Sequence, residues 1–405
     1  MRPLLLWLRR GVVSLMVPAT VAFLAVTAVG NSSWRLDADW GMRFTAGAIM
    51  ALTPLLAALV AYDLAKRVHP TLAEIGRGSA RGASAQLLPI VGGWLCAVLA
   101  TLAVWITMAV VVQRGGGLPA ADLWVHLEMM AAFAAAAAAG GLVGTLMPGL
   151  GAPAVAAGSV LTLGTFLGGQ GVKVFHVASS SGTMMGIERT PLRAGLAVGV
   201  NVAVVLLCLG ALLVKRGGRS RGRGKLAVLS VPLIASIMAL FIVPMPDSEY
   251  RPSREDHVCV GSAPRVCGPD RAAPLLGRAQ DDLARATRQL AGAGLALPGH
   301  FVVARGEAVR SLGPDRALLD YDPSALVDGH LTTQAVVGAL SAPRVCEALF
   351  HDDTAADYLE RIGVVARWLE AALGSASAVD GVAPADVREA YGVLSSCTTP
   401  VRVGS

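Results

Sequence analysis

The chain has 405 residues, of which 54% are hydrophobic and 15% charged, whereas an ordinary globular protein carries about 25% charged residues. Its net charge of +6 divides unevenly: residues 1–246 hold 19 Lys and Arg against 7 Asp and Glu, and residues 247–405 hold 15 against 21. This excludes an ordinary soluble enzyme and gives no reason to expect a nucleic-acid partner, because the basic residues sit in short loops beside apolar runs, where anionic lipid and topology account for them.

Seven apolar runs are long enough to be read as membrane spans, each needing about 20 residues to cross a bilayer. They cover about residues 11–30, 44–63, 85–112, 125–147, 154–170, 192–214 and 226–246. Arg2, Arg9 and Arg10 precede the first. The segment Asn31–Arg43 reads as an outer loop, with Trp34 and Trp40 as interfacial anchors. An inner loop, Leu64–Ser84, carries Lys66, Arg67, Arg77 and Arg81, and Asp63 at its edge is expected to pair with Lys66 and Arg67. Within this loop Pro70, Thr71, Leu72, Ala73, Glu74 and Ile75 read as a short helix. Thr71 and Glu74 form its capping box, and Leu72 and Ile75 give it an apolar face. In the third run Trp94 and Trp105 fall on nearly one helix face, as packing residues. Gly140, Gly141, Gly144, Gly164 and Gly168 in the fourth and fifth runs have the spacing that lets helices approach closely. The stretches 113–124 and 171–191 read as outer loops. Six basic residues crowd into Lys215–Lys225, directly ahead of the seventh run. Counting Lys and Arg on the two sides of this arrangement places 13 on the inner segments and 6 on the outer side, with Arg193 at the outer end of the sixth run included, so the N-terminus is expected inside and residues 247–405 outside.

The last 159 residues change character: 15 Arg, no Lys and four of the six Cys. A linker at Pro246–His257 leads to the turn-rich, hairpin-like stretch HVCVGSAPRVCGPD. Leu276, Ala279, Leu283, Ala286 and Leu290 then recur at helical spacing within Ala272–Ala291. Strands are expected at Phe301–Val303 and Ala317–Leu319. Helices are expected at Thr332–Phe350, interrupted at Pro343, and at Thr354–Leu373 and Pro384–Cys397, the last with proline in its first turn. The fold class expected is therefore an all-α polytopic membrane protein of about seven transmembrane helices, followed by a mainly α (α+β) extracytoplasmic domain over 247–405.

Signals for chemistry are sparse. Gly222-Arg223-Gly224-Lys225 lacks the spacing of a phosphate-binding loop, no His-Glu-x-x-His occurs, and no nucleophile elbow is present, so neither catalysis nor a bound cofactor or metal is expected. A charge in hydrocarbon costs on the order of 2.5–3.5 kcal/mol even on insertion scales, which singles out His126 and Glu128, one turn inside the fourth span. Two readings are open for them: members of a polar substrate pathway, or interfacial residues solvated at a depth water can reach. Cys96 and Cys208 lie in apolar spans and behave as small hydrophobes. Cys259, Cys267, Cys346 and Cys397 lie in the domain expected outside, where an even number suggests disulfides. Three pairings are open to them, and Cys259–Cys267 with Cys346–Cys397 is the one expected.

The Arg-bearing entry, the first six spans and the segment AKRVHPTLAEIGRGSARG resemble the permease subunit of a type-2 ATP-binding-cassette transporter of actinobacterial kind. The tail stretch VCVGSAPRVCGPD with its following helix is similar to an extracytoplasmic domain attached to some of those permeases. The resemblance implies a cell-membrane permease with a separate ATP-hydrolysing subunit, spans forming half of a homo- or heterodimeric pathway, and an ATPase contact at Pro70–Ile75. The alternative is a non-transporting membrane anchor for a sensor or interaction domain. The topology itself is open to test: reporter fusions after Arg81 and Gly218 should report the inner side and a fusion after Ser405 the outer side, and an inner-side signal at Ser405 would reverse the assignment.

Overall fold

The structure is a computed structural model that describes residues 12–30, 32–35, 37–67, 82–115, 117, 120, 122–147, 149–169, 174–177, 187–212, 250–252, 257–303, 316–319, 326–327, 330–344, 346, 352–374 and 382–397. The chain divides into two units: Met1–Ser181 with Arg189–Glu249, and Gly182–Glu188 with Tyr250–Ser405. The short inner helix expected at Pro70–Ile75, the basic stretch Lys215–Lys225 and the seventh span lie outside the described residues.

The described part of the first unit is helical but for the strand residue Arg189 and short irregular segments. Its helices are α1 (Met16–Val29), α2 (Ala38–Ala46), α3 (Ile49–Arg67), α4 (Gly82–Arg114), α5 (Trp124–Leu146), α6 (Ala152–Gly169) and α7 (Pro191–Leu212). Four of these, α3, α4, α5 and α7, are long and apolar enough to cross a membrane, while α1 and α6 are apolar but shorter. Each of the six apolar runs expected in this range is helical, but only four of these helices reach membrane-crossing length, and one segment changes character. The segment read as an outer loop, Asn31–Arg43, is instead a 3-10 turn, Ser32–Arg35, followed by most of α2. Asp37 starts that helix by accepting the Trp40 amide hydrogen at 3.1 Å, which satisfies one of the donors a helix N-terminus leaves open. The Thr45 hydroxyl donates back to Gly41 O, and the chain tightens at Gly47 and Ala48, whose amides bond three residues back. This separates α2 from α3. Trp40, expected at an interface, is 2% exposed and stacks on Phe44.

The core lies where α3 meets α5 and α6. Leu52, Leu56, Val60 and Leu64 recur every fourth residue on α3 and are fully buried, the spacing that lines one helix face. Opposite them α5 offers mostly Ala and Gly. A Cβ on Gly140 would land on the Ala57 backbone, and one on Gly144 on that of Ala61. The two helices thus touch along their backbones, where dispersion replaces the hydrophobic drive that lipid removes. Leu99, Ile106, Phe166 and Val26 point outward and exposed, as on a lipid-facing surface. Trp94 donates to Met130 O at 3.0 Å, and the buried Trp105 donates to the Thr45 hydroxyl at 2.9 Å, so both tryptophans serve packing between helices.

The second unit contains a four-stranded sheet in the order β3 (His257–Val260), β4 (Arg265–Pro269), β5 (His300–Val303), β6 (Ala317–Leu319). The β3–β4 pair is the expected hairpin, and β4, β5 and β6 run parallel. Gly261 has φ +74°, and a Cβ there would strike Gln280 and Pro264 O, so the hairpin turn requires glycine. Between β4 and β5 the chain forms α8 (Ala273–Gln289), with the parallel strands joined through a helix as such pairs require. A Cβ on Gly268 would meet Leu276 at 2.9 Å and Val303 at 3.2 Å, which shows how closely α8 lies on that sheet face. The helices α9 (Thr333–Ser341), α10 (Asp352–Ala372) and α11 (Pro384–Ser396) follow, α9 and α11 within the sequence-based expectation and α10 beginning two residues ahead of the expected Thr354. Short two-stranded pairings join β1 (Ile187–Arg189) to β2 (Tyr250–Pro252) and β7 (Leu326–Val327) to β8 (His330–Leu331). Both expected disulfides are present: Cys259–Cys267 across β3 and β4, with Cα atoms 4.0 Å apart, and Cys346–Cys397, 5.5 Å apart.

Replacing Gly140 or Gly144 by Leu should force α5 off α3. The expected cost is at least the ~1–3 kcal/mol of ordinary overpacking, read as a lower unfolding temperature in detergent. Gly158, around which a Cβ meets nothing within 4 Å, should accept Ala with little change.

Candidate functional site

Four charged side chains meet inside the first unit. Arg43, near the end of α2, is fully buried and pairs with Asp122, which lies just ahead of α5. Its other terminal nitrogen is 3.6 Å from Glu128 Oε2, and the second Glu128 oxygen accepts from Arg189 Nη2 at 2.6 Å. Glu128 is 1% exposed and Arg189 3%. The water-accessible position expected for Glu128 is therefore corrected: the carboxylate is enclosed, and two guanidinium groups neutralise it. The reason is local sequence. Asp37 nucleates α2 and so turns Arg43 inward, and Asp39, 2% exposed, accepts the Asp122 amide hydrogen at 3.1 Å and pins the segment entering α5.

His126 stands beside this cluster with its ring edge-on to Trp105, centroids 5.2 Å apart. Its Nδ1 is buried and has no hydrogen-bond partner among the described residues. Asp63 is 6% exposed, while Lys66 sits over the Tyr62 ring at 4.3 Å.

A second polar centre was not anticipated. Residues 174–177, within the stretch read as an outer loop, pack into the helix bundle. Val174 and Phe175 are each 2% exposed, and a Cβ on Gly164 of α6 would strike the His176 ring. The Phe175 backbone is bonded on both sides by buried side chains: its amide donates to Asn201 Oδ1 at 3.0 Å, and its carbonyl accepts from the Thr53 hydroxyl at 3.1 Å. Asn201 Nδ2 in turn donates to Ala197 O at 2.8 Å. Asn201 lies about ten residues into α7, roughly 15 Å along it at about 1.5 Å per residue, which is near the middle of that helix. Phe175 adopts φ 58°, a left-handed conformation that costs a non-glycine residue about 1–2 kcal/mol. Irregular backbone at this depth persists only where protein groups satisfy it, and Thr53 and Asn201 do so. The sequence carried one signal, since Asn201 is the lone amide in an otherwise apolar run.

In the second unit, the group of potential metal-ligating atoms found among the described residues is Cys259, Cys267 and His300, within 4.8 Å of one another. Both sulfurs are committed to the disulfide, which leaves the imidazole as the strong donor. Tyr358 donates to Leu394 O at 3.1 Å and contacts Cys346 Sγ, and burial pushes its hydroxyl up to about 12. This braces the Cys346–Cys397 bridge within packed helices.

In comparison with known proteins, no family model, no curated protein and no solved structure matches this chain. Among the described residues the chain is mostly helical, with four apolar helices of membrane-crossing length, a smaller α/β region, and disulfides that point to an oxidising environment for that region.

The charge cluster predicts a contrast between two glutamates. Glu128→Ala removes the carboxylate between two buried guanidinium groups, of which Arg43 keeps Asp122, and should cost about 3–5 kcal/mol. Glu188→Ala removes a partner of Arg251 that is about one-third exposed and should cost under about 1 kcal/mol. Thermal unfolding of both variants in one detergent checks the difference, and equal losses would contradict the buried-pair account.

Proposed function

We propose that the chain is a membrane-spanning permease subunit, resembling those of type-2 ATP-binding-cassette transporters and energised by a separate ATP-hydrolysing subunit. The observation that carries the reading is residues 174–177, inserted among apolar helices with the Phe175 backbone held by Thr53 and Asn201. A protein that only anchors a domain has no use for a strained, polar-bonded turn at mid-helix depth. A transporter does, because a broken backbone there offers carbonyl and amide groups to a polar solute and can exchange partners when helices move. His126 and Glu128 lie on α5, at the paired-charge cluster, and serve as its gate: opening requires Glu128 to leave one of its two arginines. In this reading the spans form half of a dimeric pathway, and Pro70–Ile75 is the ATPase contact.

The alternative, a non-transporting anchor for a sensor or interaction domain, draws support from the charge cluster itself. Arg43, Asp122, Glu128 and Arg189 neutralise one another, and such a closed set suits a static lock as well as a gate.

Purifying the tagged chain in mild detergent from its own cells separates the two. Transport predicts that an ATP-hydrolysing polypeptide is retained in fixed ratio, and that Leu72→Glu with Ile75→Glu releases it while the chain still inserts. Recovery of the chain with no ATPase, or with a kinase or transcription regulator instead, favours the anchor and overturns the permease reading.

A further inference from the structure

The Cys259–Cys267 bridge has surroundings that a purely structural disulfide does not need. It crosses β3 and β4 at a directly paired position. One sulfur belongs to an exposed residue on the edge strand, Cys259, and the other to Cys267, which is 4% exposed. Cys267 Sγ lies 3.0 Å from His300 Nε2. A disulfide sulfur carries no hydrogen, so the nitrogen is the donor and the ring holds its proton on Nε2. Burial lowers the His300 pKa, and the charges of Arg316 and Arg265 lower it further, which favours the neutral ring.

The sheet explains why these groups meet. Alternate residues of a strand face opposite sides. Val266, Phe301, Val303, Ala317 and Leu319 face one way and are buried, and α8 lies on that side. Arg265 and Cys267 on β4, and His300 on β5, face the other. Arg265 pairs with His300 across the parallel strands, and Arg316 immediately precedes β6. Both arginines are exposed. One sheet face thus presents an exposed cysteine, a buried cysteine whose sulfur has a hydrogen-bond donor, and two exposed arginines. His257, two residues before Cys259 on the edge strand and exposed, is a further titratable group on this side.

We infer that Cys259–Cys267 is a thiol–disulfide exchange site that accepts electrons from an external thiol, with Cys259 as the sulfur attacked and Cys267 as the leaving thiolate. The incoming thiolate attacks Sγ of the exposed Cys259, and a sulfur–sulfur bond forms there as the Cys259–Cys267 bond breaks. Its electron pair goes to Cys267 Sγ, where His300 Nε2–H donates to the new thiolate and Arg265 and Arg316 favour its negative charge. Exchange runs faster when the leaving thiol has a low pKa, and positive neighbours lower it. A second thiolate then attacks the external sulfur of the mixed disulfide and releases Cys259. The balance is two external thiols oxidised to one disulfide and the bridge reduced to two thiols. The Cys346–Cys397 bridge differs: Cys346 is 2% exposed, and the neighbouring group is a tyrosine hydroxyl whose pKa is raised.

The test uses the full chain in detergent, with Cys346–Cys397 as the internal reference. Glutathione or reduced thioredoxin is added, samples are quenched with acid and alkylated at timed intervals, and peptides are mapped. The Cys259–Cys267 bridge should open at least about tenfold faster than the reference. Trapped glutathione should be on Cys259 and the alkyl group on Cys267. His300→Leu should slow opening by roughly tenfold and move the pH-dependence of Cys267 alkylation upward, as loss of a thiolate-stabilising donor requires. His300→Gln, which keeps a side-chain N–H, should recover most of the rate, and neither variant should alter the reference bridge. Opening by both reagents identifies a site open to small thiols, and opening by thioredoxin alone identifies a protein dithiol as the partner. Equal rates at the two bridges, glutathione on Cys267, or an unchanged rate in His300→Leu would each overturn the inference. So would a reduced chain that retains added zinc and thereby shields both thiols and His300, since that assigns the cluster to a metal.

Discussion

Inside a bundle of apolar helices of membrane-crossing length, little water is at hand to satisfy a charge or an open peptide group, so each must find its partner in the protein. Glu128 is where this constraint is felt most. Its carboxylate is enclosed between Arg43 and Arg189, and the residues that bring those arginines in decide how α2, α5 and α7 begin. Asp37 caps α2, Asp39 holds the Asp122 amide, and Asp122 takes the second half of Arg43. Taking away any one member leaves an unbalanced charge in a place where desolvation has already occurred.

The same constraint shapes the packing. Helices α3 and α5 approach until backbone meets backbone, because Gly140 and Gly144 leave no side chain between them and Ala57 and Ala61. That closeness leaves little room for polar groups, and those present are bonded locally. Thr45, Thr101 and Thr145 return their hydroxyls to carbonyls four residues back. The turn at Phe175 departs from this pattern, since its partners come from distant helices, and it is there that a change in helix position would alter hydrogen bonding.

The second unit is held by different means. Its sheet has four short strands, and its helices α9 to α11 are amphipathic rather than wholly apolar. Asp282 of α8, 6% exposed, accepts the Leu331 amide hydrogen at 2.8 Å and so ties the β7–β8 pairing to the helix. The two bridges add covalent closure over 8 and 51 residues of sequence, which lowers the entropy of the unfolded chain, more so for the longer loop. One bridge is sheltered among helices, and the other lies at a sheet edge beside a histidine.

Local patterns were legible in the sequence because they depend on neighbours a few residues apart. Apolar run length located the helices of the first unit apart from α2, 3.6-residue periodicity located α8, α10 and α11, and glycine spacing marked the contact of α5 with α3. Glu128 and His126 were legible as ionisable groups in an apolar run, and the parity and location of four cysteines suggested both bridges. The partners of Glu128 were not legible: Arg43 and Arg189 lie 85 and 61 positions away, and each read as an ordinary basic residue of an outer segment. Nor was the burial of Phe175, since nothing local distinguishes a turn that returns into the bundle from one that stays outside. The parallel order of β4, β5 and β6, which brings His300 to Cys267, was hidden for the same reason. Periodicity and composition report what a segment prefers, whereas the pairing of charges, the insertion of a turn and the order of strands depend on which distant groups remain to be satisfied once the helices have packed.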